Sequence, residues 1–426
     1  MKDMLLKNAS VYAKRSLSKA DILIRNGVIA ELGKISEDNC ADVRDMAGLY
    51  IFPGFTDVHV HLREPGFSYK ETIRTGTEAA ARGGYTTVCP MPNLNPVPDS
   101  AENLKIQTDL IEKYAAVRVV PYGAISRGEN GRELADLEGM AQSVVAFSDD
   151  GKGVGDGGLM REAMKRSAAI GKIICAHCEC AELAGGAIHD GAYARAHGIP
   201  GIPSAAEWKM IERDIALVRE TGCAYHVCHV SCAESAAFIR AARAEGLDVT
   251  AETAPHYLVL SENDLRDDGA FRMNPPLRTE KDRIALIEAV CDGTIGMIAT
   301  DHAPHSAGEK SRGLALSLNG IVGLETAFPV LWTELVKTGV LSAEKLLSLF
   351  CEGPGKRFGI GAEIGVGKAA DLTVFDMDCE YTVDPEEFAS MGKSSPFAGR
   401  RVFGRCLETL VGGETVWKYE DGGKEG

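Results

Sequence analysis

Short runs of β-branched and apolar residues recur from residue 51 onward, and segments with helical spacing separate most of them. The eight runs are IFPGFTDVHVHL, YTTVCPMPN, VRVVPYGA, SVVAFSDD, KIICAHCE, CAYHVCHVS, LDVTAETAPHY and GMIATDHAPH. Strands that alternate with helices build a parallel sheet, because each helix carries the chain back to the start of the next strand. Eight such units in roughly 250 residues match a (β/α)8 TIM barrel better than an open doubly wound sheet. The predicted fold class is therefore α/β.

The segments between the runs predict the helices that cover such a barrel. They are Tyr69 to Arg82, Glu102 to Tyr114, Leu159 to Ile170, Ala205 to Arg219, Cys232 to Ala244 and Arg283 to Val290. Neither GxGxxG nor GxxxxGK[ST] follows the first run, which disfavours a nucleotide-binding sheet. Residues 306–320 are polar and contain glycine, which predicts a mobile lid or a loop at the rim of the barrel.

The two ends of the chain have a different pattern. Residues 1–50 and 362–426 contain short alternating strands with Asn-Gly and Gly-Gly turns, which is typical of a small antiparallel sheet. We expect both ends to pack into one β-rich domain beside a barrel formed by residues 51–361.

Composition and charge exclude several classes of function. The 426 residues include 46 Lys and Arg against 61 Asp and Glu, and the net charge of −15 excludes a basic nucleic-acid binder. No apolar run approaches the 18 or so residues of a membrane span, and the N-terminal residues do not resemble a secretory signal. Twelve scattered cysteines, many beside apolar residues, fit buried thiols in a reducing compartment. We therefore expect a cytoplasmic enzyme with no nucleic-acid or membrane partner.

Histidines and aspartates gather where the runs end. His59 and His61 project from one face of a strand and suit zinc, although two histidines buried in a core are an equally good interpretation of this pair alone. The other residues at run ends are Asp149, Asp150, His177, His226, His229, Asp301, His302 and His305. The carboxyl ends of barrel strands are where such enzymes build their active sites. The pattern therefore predicts a metal centre at that face.

Several motifs resemble the dihydroorotase family of the amidohydrolase superfamily, in its class I bacterial branch. They are DVHVHLREPG, AAARGGYTTVCPMPN, FSDDG, AHCE, HVCHVS, RMNPPLR, ATDHAPH and SPFAGRRVFGR. The resemblance implies two Zn2+ ions per chain, one held by His59, His61 and Asp301 and the other by His177 and His229. It also implies that Asp150 bridges them, where many superfamily relatives use a carboxylated lysine. Spacing alone does not choose between Asp149 and Asp150, and the motif favours Asp150.

The same resemblance implies a set of substrate contacts. Arg63 offers a guanidinium fork for a carboxylate, with capping of loop carbonyls as its alternative role. The other implied contacts are His61, Asn93, Asn274, His305, Asn319 and Gly320. Related enzymes carry Pro-Phe-Gly where this chain has Leu318, Asn319 and Gly320, a change that a backbone contact to the substrate ring would survive.

The activity implied is reversible hydrolysis of L-dihydroorotate to N-carbamoyl-L-aspartate in pyrimidine synthesis. Such a reaction needs a carboxylate to carry a proton to the leaving nitrogen, and Asp301 is the candidate catalytic residue, with a purely ligating role as its alternative. Two other hypotheses stay open: an allantoinase or a dihydropyrimidinase-like hydrolase, and a non-catalytic scaffold for aspartate transcarbamoylase. For partners besides the small-molecule substrate, we carry a homodimer and an association with aspartate transcarbamoylase as hypotheses.

Overall fold

Five strands near the N-terminal end form part of a mixed sheet. The computed structural model of the protein describes residues 3–37, 40 and 42–420. The strands are β1 (Met4–Ala13), β2 (Ser16–Arg25), β3 (Val28–Gly33), β4 (Asp42–Asp45) and β5 (Tyr50–Pro53). Strand β1 pairs antiparallel with β2 but parallel with β4 and β5, so the prediction of a purely antiparallel sheet is wrong. The reason is that β3 lies beyond β2, and the chain crosses back before β4 and β5 run beside β1.

The next eleven strands comprise those of the predicted barrel and one separate pair. They are β6 (Phe55–Val60), β7 (Tyr85–Pro90), β8 (Arg118–Val119), β9 (Gly123–Ala124), β10 (Phe147–Ser148), β11 (Ile174–Ala176), β12 (Ile188–His189), β13 (Gly201–Ile202), β14 (Tyr225–Val227), β15 (Val249–Thr253) and β16 (Met297–Ile298). Strands β12 and β13 form a separate pair, whereas β8 and β9 are two halves of the third barrel strand and pair with β7 and β10. Every barrel pairing is parallel. The barrel closes where the His61 N–H donates to the His302 carbonyl oxygen at 2.8 Å.

Most helices of the described residues lie between the barrel strands, as predicted, and the last four follow β16. They are α1 (Ile73–Arg82), α2 (Ala101–Tyr114), α3 (Leu137–Met140), α4 (Gly157–Ala169), α5 (Ala192–His197), α6 (Ala205–Thr221), α7 (Ala233–Ala244), α8 (Pro255–Val259), α9 (Glu280–Cys291), α10 (Ala307–Lys310), α11 (Gly313–Leu316), α12 (Ala327–Leu331) and α13 (Ala343–Phe358). Helix α1 begins later than predicted because Thr72 and Thr75 form a capping box there. The predicted rim loop 306–320 contains two short helices, α10 and α11.

The last strands return to the N-terminal sheet. They are β17 (Leu372–Thr382), β18 (Arg401–Val411) and β19 (Glu414–Lys418). Strand β17 pairs antiparallel with β5, so both ends of the chain share one sheet. Residues 421–426 of the predicted C-terminal part lie outside the described residues. We propose from this pairing that the two chain ends form a single β-rich domain.

An aromatic cluster fixes the first barrel strand against that sheet. Phe55 in β6 stacks on Phe52 in β5 and lies 5.6 Å from Phe375 in β17 between ring centroids. Phe328 in α12 and Phe350 in α13 lie 4.9 and 5.0 Å from Phe55. All five rings are buried, and buried aromatic rings contribute large apolar areas. These rings therefore anchor strand β6, which carries His59 and directly precedes His61.

No helix within the described residues is both long and apolar enough to cross a membrane.

Candidate active site

Six side chains converge at the carboxyl ends of the barrel strands. All six are buried: His59, His61, Asp150, His177, His229 and Asp301. His59 lies within β6, and the others follow β6, β10, β11, β14 and β16 by one to three residues. Parallel strands end at one edge of the barrel, so residues far apart in sequence meet there. The structure thus brings together every residue that the sequence analysis assigned to metal binding.

Asp150 lies at the centre of this cluster. Its Oδ1 lies 3.3 Å from His59 Nε2, 3.7 Å from His177 Nδ1 and 3.6 Å from His229 Nε2. Its Oδ2 lies 3.5 Å from His61 Nε2. One carboxylate therefore contacts all four histidines, which is the arrangement expected of a ligand shared between two metal positions.

Asp301 lies on one side of the cluster only. Its Oδ1 is 3.0 Å from His61 Nε2 and 3.7 Å from His59 Nε2. His177 and His229 lie together on the other side, with 2.9 Å between His177 Nδ1 and His229 Nε2. The two groups correspond to the two implied ligand sets, with Asp150 between them.

The donor atoms fit a metal ion in spacing and in chemistry. Tetrahedral zinc with bonds of about 2.0–2.2 Å places its ligand atoms roughly 3.3 Å apart, close to the separations here. The groups His59, His61, Asp301 and His59, Asp150, His229 each have ligand atoms within 4.8 Å of one another. His59 Nε2 and Asp150 Oδ1 are buried without a hydrogen-bond partner among the described residues. Buried polar atoms need partners, and a metal ion would supply one.

Carboxylate and amide groups behind the histidines orient the rings. His59 Nδ1 donates to Glu252 Oε1 at 2.8 Å, and the other oxygen of Glu252 contacts His226 Nε2 at 3.0 Å. His61 Nδ1 donates to Asn93 Oδ1 at 2.9 Å. Each ring is thereby left with Nε2 facing the cluster. The sequence analysis missed Glu252, although a glutamate inside the apolar seventh run was a signal.

Burial and mutual contact shift the pKa values of the two site aspartates. Burial by itself raises the pKa of Asp150, but the charge of His59 and the close contacts with the His229 and His59 rings hold that pKa well below its usual value. Burial also opposes ionisation of Asp301, yet its close contact with His61 lowers its pKa. Both aspartates are therefore ionised at neutral pH, as metal ligands must be.

Three site residues have backbone conformations that L-amino acids rarely adopt. The φ angles of Arg63, His229 and Asp301 are 58°, 35° and 48°. Such conformations cost on the order of 1–3 kcal/mol each and persist only where the surrounding structure holds them. Strained backbone therefore occurs at the ends of β6, β14 and β16, where the side chains converge.

A cavity of about 200 Å³ opens above the cluster. The predicted substrate contacts all line it: His61, Arg63, Asn93, Asn274, His305, Asn319 and Gly320. Arg63 Nε donates to the Pro304 carbonyl oxygen at 3.1 Å, and Asn274 Oδ1 is buried without a partner among the described residues. A side chain at Gly320, whose φ is 135°, would place Cβ 2.5 Å from the Ala303 carbonyl oxygen, so only glycine fits there.

Two neighbouring residues at strand ends point away from the cluster. Asp149 accepts hydrogen bonds from the backbone N–H groups of Ile125 and Ser126 at 2.8 and 3.0 Å. His302 Nδ1 accepts from the Gly323 N–H at 3.3 Å, and its Nε2 lies 3.5 Å from Glu71. Asp150, and not Asp149, therefore lies within the histidine cluster, a distinction that spacing alone did not make.

The barrel and its histidine–aspartate cluster define an amidohydrolase-type barrel enzyme with a candidate metal centre. A family model described as Dihydro-orotase-like matches residues 48–235. The dihydroorotase of Geobacillus thermodenitrificans (strain NG80-2) is 49% identical over 422 residues, covering 97% of this chain and 99% of the relative. That of Bacillus cereus (strain B4264) is 48% identical over 405 residues, covering 94% of each. The chain belongs to the dihydroorotase family.

Two solved structures with the same architecture are hydantoinases. The L-hydantoinase (dihydropyrimidinase) of Arthrobacter aurescens has a TM-score of 0.89 at 28% identity, covering 98% of this chain and 96% of that one. The D-hydantoinase (dihydropyrimidinase) of a Thermus species has a TM-score of 0.85 at 27% identity, covering 97% and 94%. The fold is therefore shared with these amidohydrolases over nearly the full length of the chain.

Proposed function

We propose that this protein hydrolyses L-dihydroorotate to N-carbamoyl-L-aspartate and catalyses the reverse cyclisation, a step of pyrimidine synthesis. The observation that carries the proposal is a single cavity that joins the Arg63 guanidinium to the cluster around Asp150. A guanidinium fork suits a carboxylate, and the cluster suits amide hydrolysis. The relatives named dihydroorotase support the same substrate.

We infer two zinc ions per chain. His59, His61 and Asp301 would hold one, His177 and His229 the other, and Asp150 would bind both. Histidine nitrogens and carboxylate oxygens are the ligands that zinc prefers here. When bound, zinc polarises the scissile carbonyl and lowers the pKa of a water molecule towards neutrality.

The residues of the chain supply positioning and proton transfer. Arg63 holds the substrate carboxylate, while Asn274 Oδ1 accepts a hydrogen bond from a ring N–H. The backbone of Asn319 and Gly320 forms the facing wall. Asp301 takes a proton from the attacking water as the oxygen adds to the ring carbonyl carbon. The C–N bond then breaks, and Asp301 returns the proton to the leaving nitrogen.

A hydantoinase or dihydropyrimidinase activity is the second candidate, because those enzymes share the fold. Many superfamily relatives bridge their metals with a carboxylated lysine, whereas we assign the bridging position here to Asp150. The nearby Lys152 side chain is 56% exposed and lies 3.8 Å from Glu129. Because Lys152 is exposed and lies beside Glu129, it does not take the bridging position, which disfavours the second candidate.

A substrate panel separates the two candidates. Purified zinc-loaded protein would be assayed with dihydroorotate, dihydrouracil, hydantoin and allantoin. We expect turnover of dihydroorotate to exceed that of every other ring. Preferred turnover of dihydrouracil or hydantoin would overturn the proposal.

Assembly and location are further proposals. We propose a homodimer that also associates with aspartate transcarbamoylase in the cytoplasm. All twelve cysteines are free, which supports a reducing compartment. Light scattering of the pure protein, alone and with the transcarbamoylase, tests both associations. A monomeric protein whose measured mass does not increase when the transcarbamoylase is added would overturn both proposals.

A further inference from the structure

Lys70 lies just behind the substrate cavity without lining it. Its side chain is 11% exposed, and its ammonium contacts two side chains of the segment that follows β16. Nζ lies 3.2 Å from His305 Nδ1 and 3.0 Å from Glu309 Oε1. The contact therefore joins the loop after β6 to the wall that carries His305.

The Lys70 contact determines which nitrogen of His305 carries the proton. An ammonium group has only donors, so Nδ1 must accept from Lys70. The proton of the neutral ring then lies on Nε2, which donates to the Asn319 carbonyl oxygen at 2.7 Å. Burial, together with the charges of Arg63 and Lys70, lowers the pKa of His305 to about 3, so the ring is neutral.

We propose that Lys70 is a positioning residue for the end of the cavity that receives the substrate carboxylate, and that it acts through His305. The proposal rests on the proposed function, because the carboxylate belongs to dihydroorotate. Lys70 fixes the Nε2–H tautomer, which keeps the wall at Asn319 in place and leaves Arg63 Nη2 free for the substrate.

The surroundings of His305 explain why loss of Lys70 would matter. Without a donor at Nδ1, the ring is free to take the other tautomer, which puts a lone pair on Nε2. That lone pair would face the Asn319 carbonyl oxygen and repel it. It would instead accept from Arg63 Nη2, which already lies 3.4 Å away. The guanidinium would then be held by the protein and compete less well for the substrate carboxylate.

The ion pair with Glu309 offers a simpler explanation, in which Lys70 only ties two loops together. Glu309 is also held by the Ser306 N–H at 3.0 Å and the Ser306 hydroxyl at 2.9 Å. Variants at Lys70 and Glu309 therefore distinguish a simple ion pair between two loops from an effect on His305.

The test measures KM and kcat for dihydroorotate in Lys70→Met, His305→Asn and the double variant. We expect Lys70→Met to raise KM by roughly 10- to 100-fold, the scale of one hydrogen bond to a charged group, and to leave kcat within about threefold. Zinc content should stay unchanged. In the His305→Asn background, Lys70→Met should raise KM by less than about twofold, because the His305 ring through which Lys70 acts is already absent.

Matched variants keep the result interpretable. Tyr69→Phe, at the exposed neighbour that also contacts Glu309, should match the wild type. Lys70→Arg, which retains hydrogen-bond donors, should recover part of the lost affinity. It replaces Lys70→Met as the test variant if Lys70→Met does not fold. Equal effects of Glu309→Gln and Lys70→Met, or additive effects in the double variant, would overturn the proposal. A wild type inactive on dihydroorotate would instead overturn the proposed function.

Discussion

Glu252 holds His59 from behind the metal cluster, with 2.8 Å between Glu252 Oε1 and His59 Nδ1. Both side chains are fully buried, and the second carboxylate oxygen contacts His226. Partners of this kind orient a ligating histidine and raise its basicity, and their loss typically costs 10- to 100-fold in metal affinity.

We therefore expect Glu252→Gln to weaken zinc binding by roughly 10- to 100-fold, since the carboxylate charge behind His59 is lost. Competition with a chromophoric chelator measures the affinity. Glu245→Gln, at an exposed glutamate bonded to Arg219, is the matched control and should bind zinc like the wild type. Unchanged zinc affinity in Glu252→Gln would remove Glu252 from the metal centre.

Asp301→Asn separates metal binding from proton transfer. An amide oxygen can still bind zinc but does not accept the proton, so turnover should fall by roughly two to four orders of magnitude while much of the metal is kept. Elemental analysis and kcat measure the two effects on the same sample. Near-normal turnover with full metal content would show that Asp301 is only a ligand.

Arg63 is expected to select dihydroorotate over rings without a carboxylate. Arg63→Met should lower kcat/KM for dihydroorotate by roughly 30-fold to several thousand-fold, the range for removing the partner of a desolvated charge. Arg63→Lys, which keeps the charge but loses the fork, should lower it less. Any turnover of dihydrouracil should hardly change. An equal loss for both rings would indicate that Arg63 supports the loop and does not bind the carboxylate.

His305 should make stability depend on pH in the acid range. Burial and the neighbouring cations lower its pKa from 6.5 to about 3, so below pH 6.5 the unfolded chain binds a proton that the folded chain does not. The folded state therefore loses stability as pH falls from about 6.5 to about 3, by up to about 1.4 kcal/mol per pH unit. The difference in unfolding free energy between wild type and His305→Gln, from urea titrations, should shrink over that window. A constant difference would contradict the lowered pKa.

The barrel could be predicted because strand runs and helical segments alternate in the sequence with little ambiguity. Local signals also fix details that periodicity misses, since the Thr72–Thr75 capping box sets the start of α1. The parallel pairing of β1 with β4 and β5 was not predictable, because it depends on how the chain crosses β2.

The candidate site was predictable to the extent that its residues stand at strand ends in recognisable motifs. Asp149 and Asp150 show the limit, because only tertiary contacts reveal that Asp149 is bonded to the backbone of Ile125 and Ser126. Glu252 and Lys70 act through histidines distant in sequence, so a local pattern does not show which residue each one contacts, even where a glutamate inside an apolar run marks Glu252 as unusual.

Zinc removal and restoration with dihydroorotate as substrate tests the proposed chemistry most directly. A chelator would strip the purified protein, and turnover would be followed as zinc is added back in measured equivalents. We expect turnover to vanish on stripping and to recover fully at two equivalents per chain. Asp150→Ala, which lacks the shared ligand, should not recover. Turnover that persists without metal, or that saturates at one equivalent, would contradict a two-zinc hydrolysis of dihydroorotate at this site.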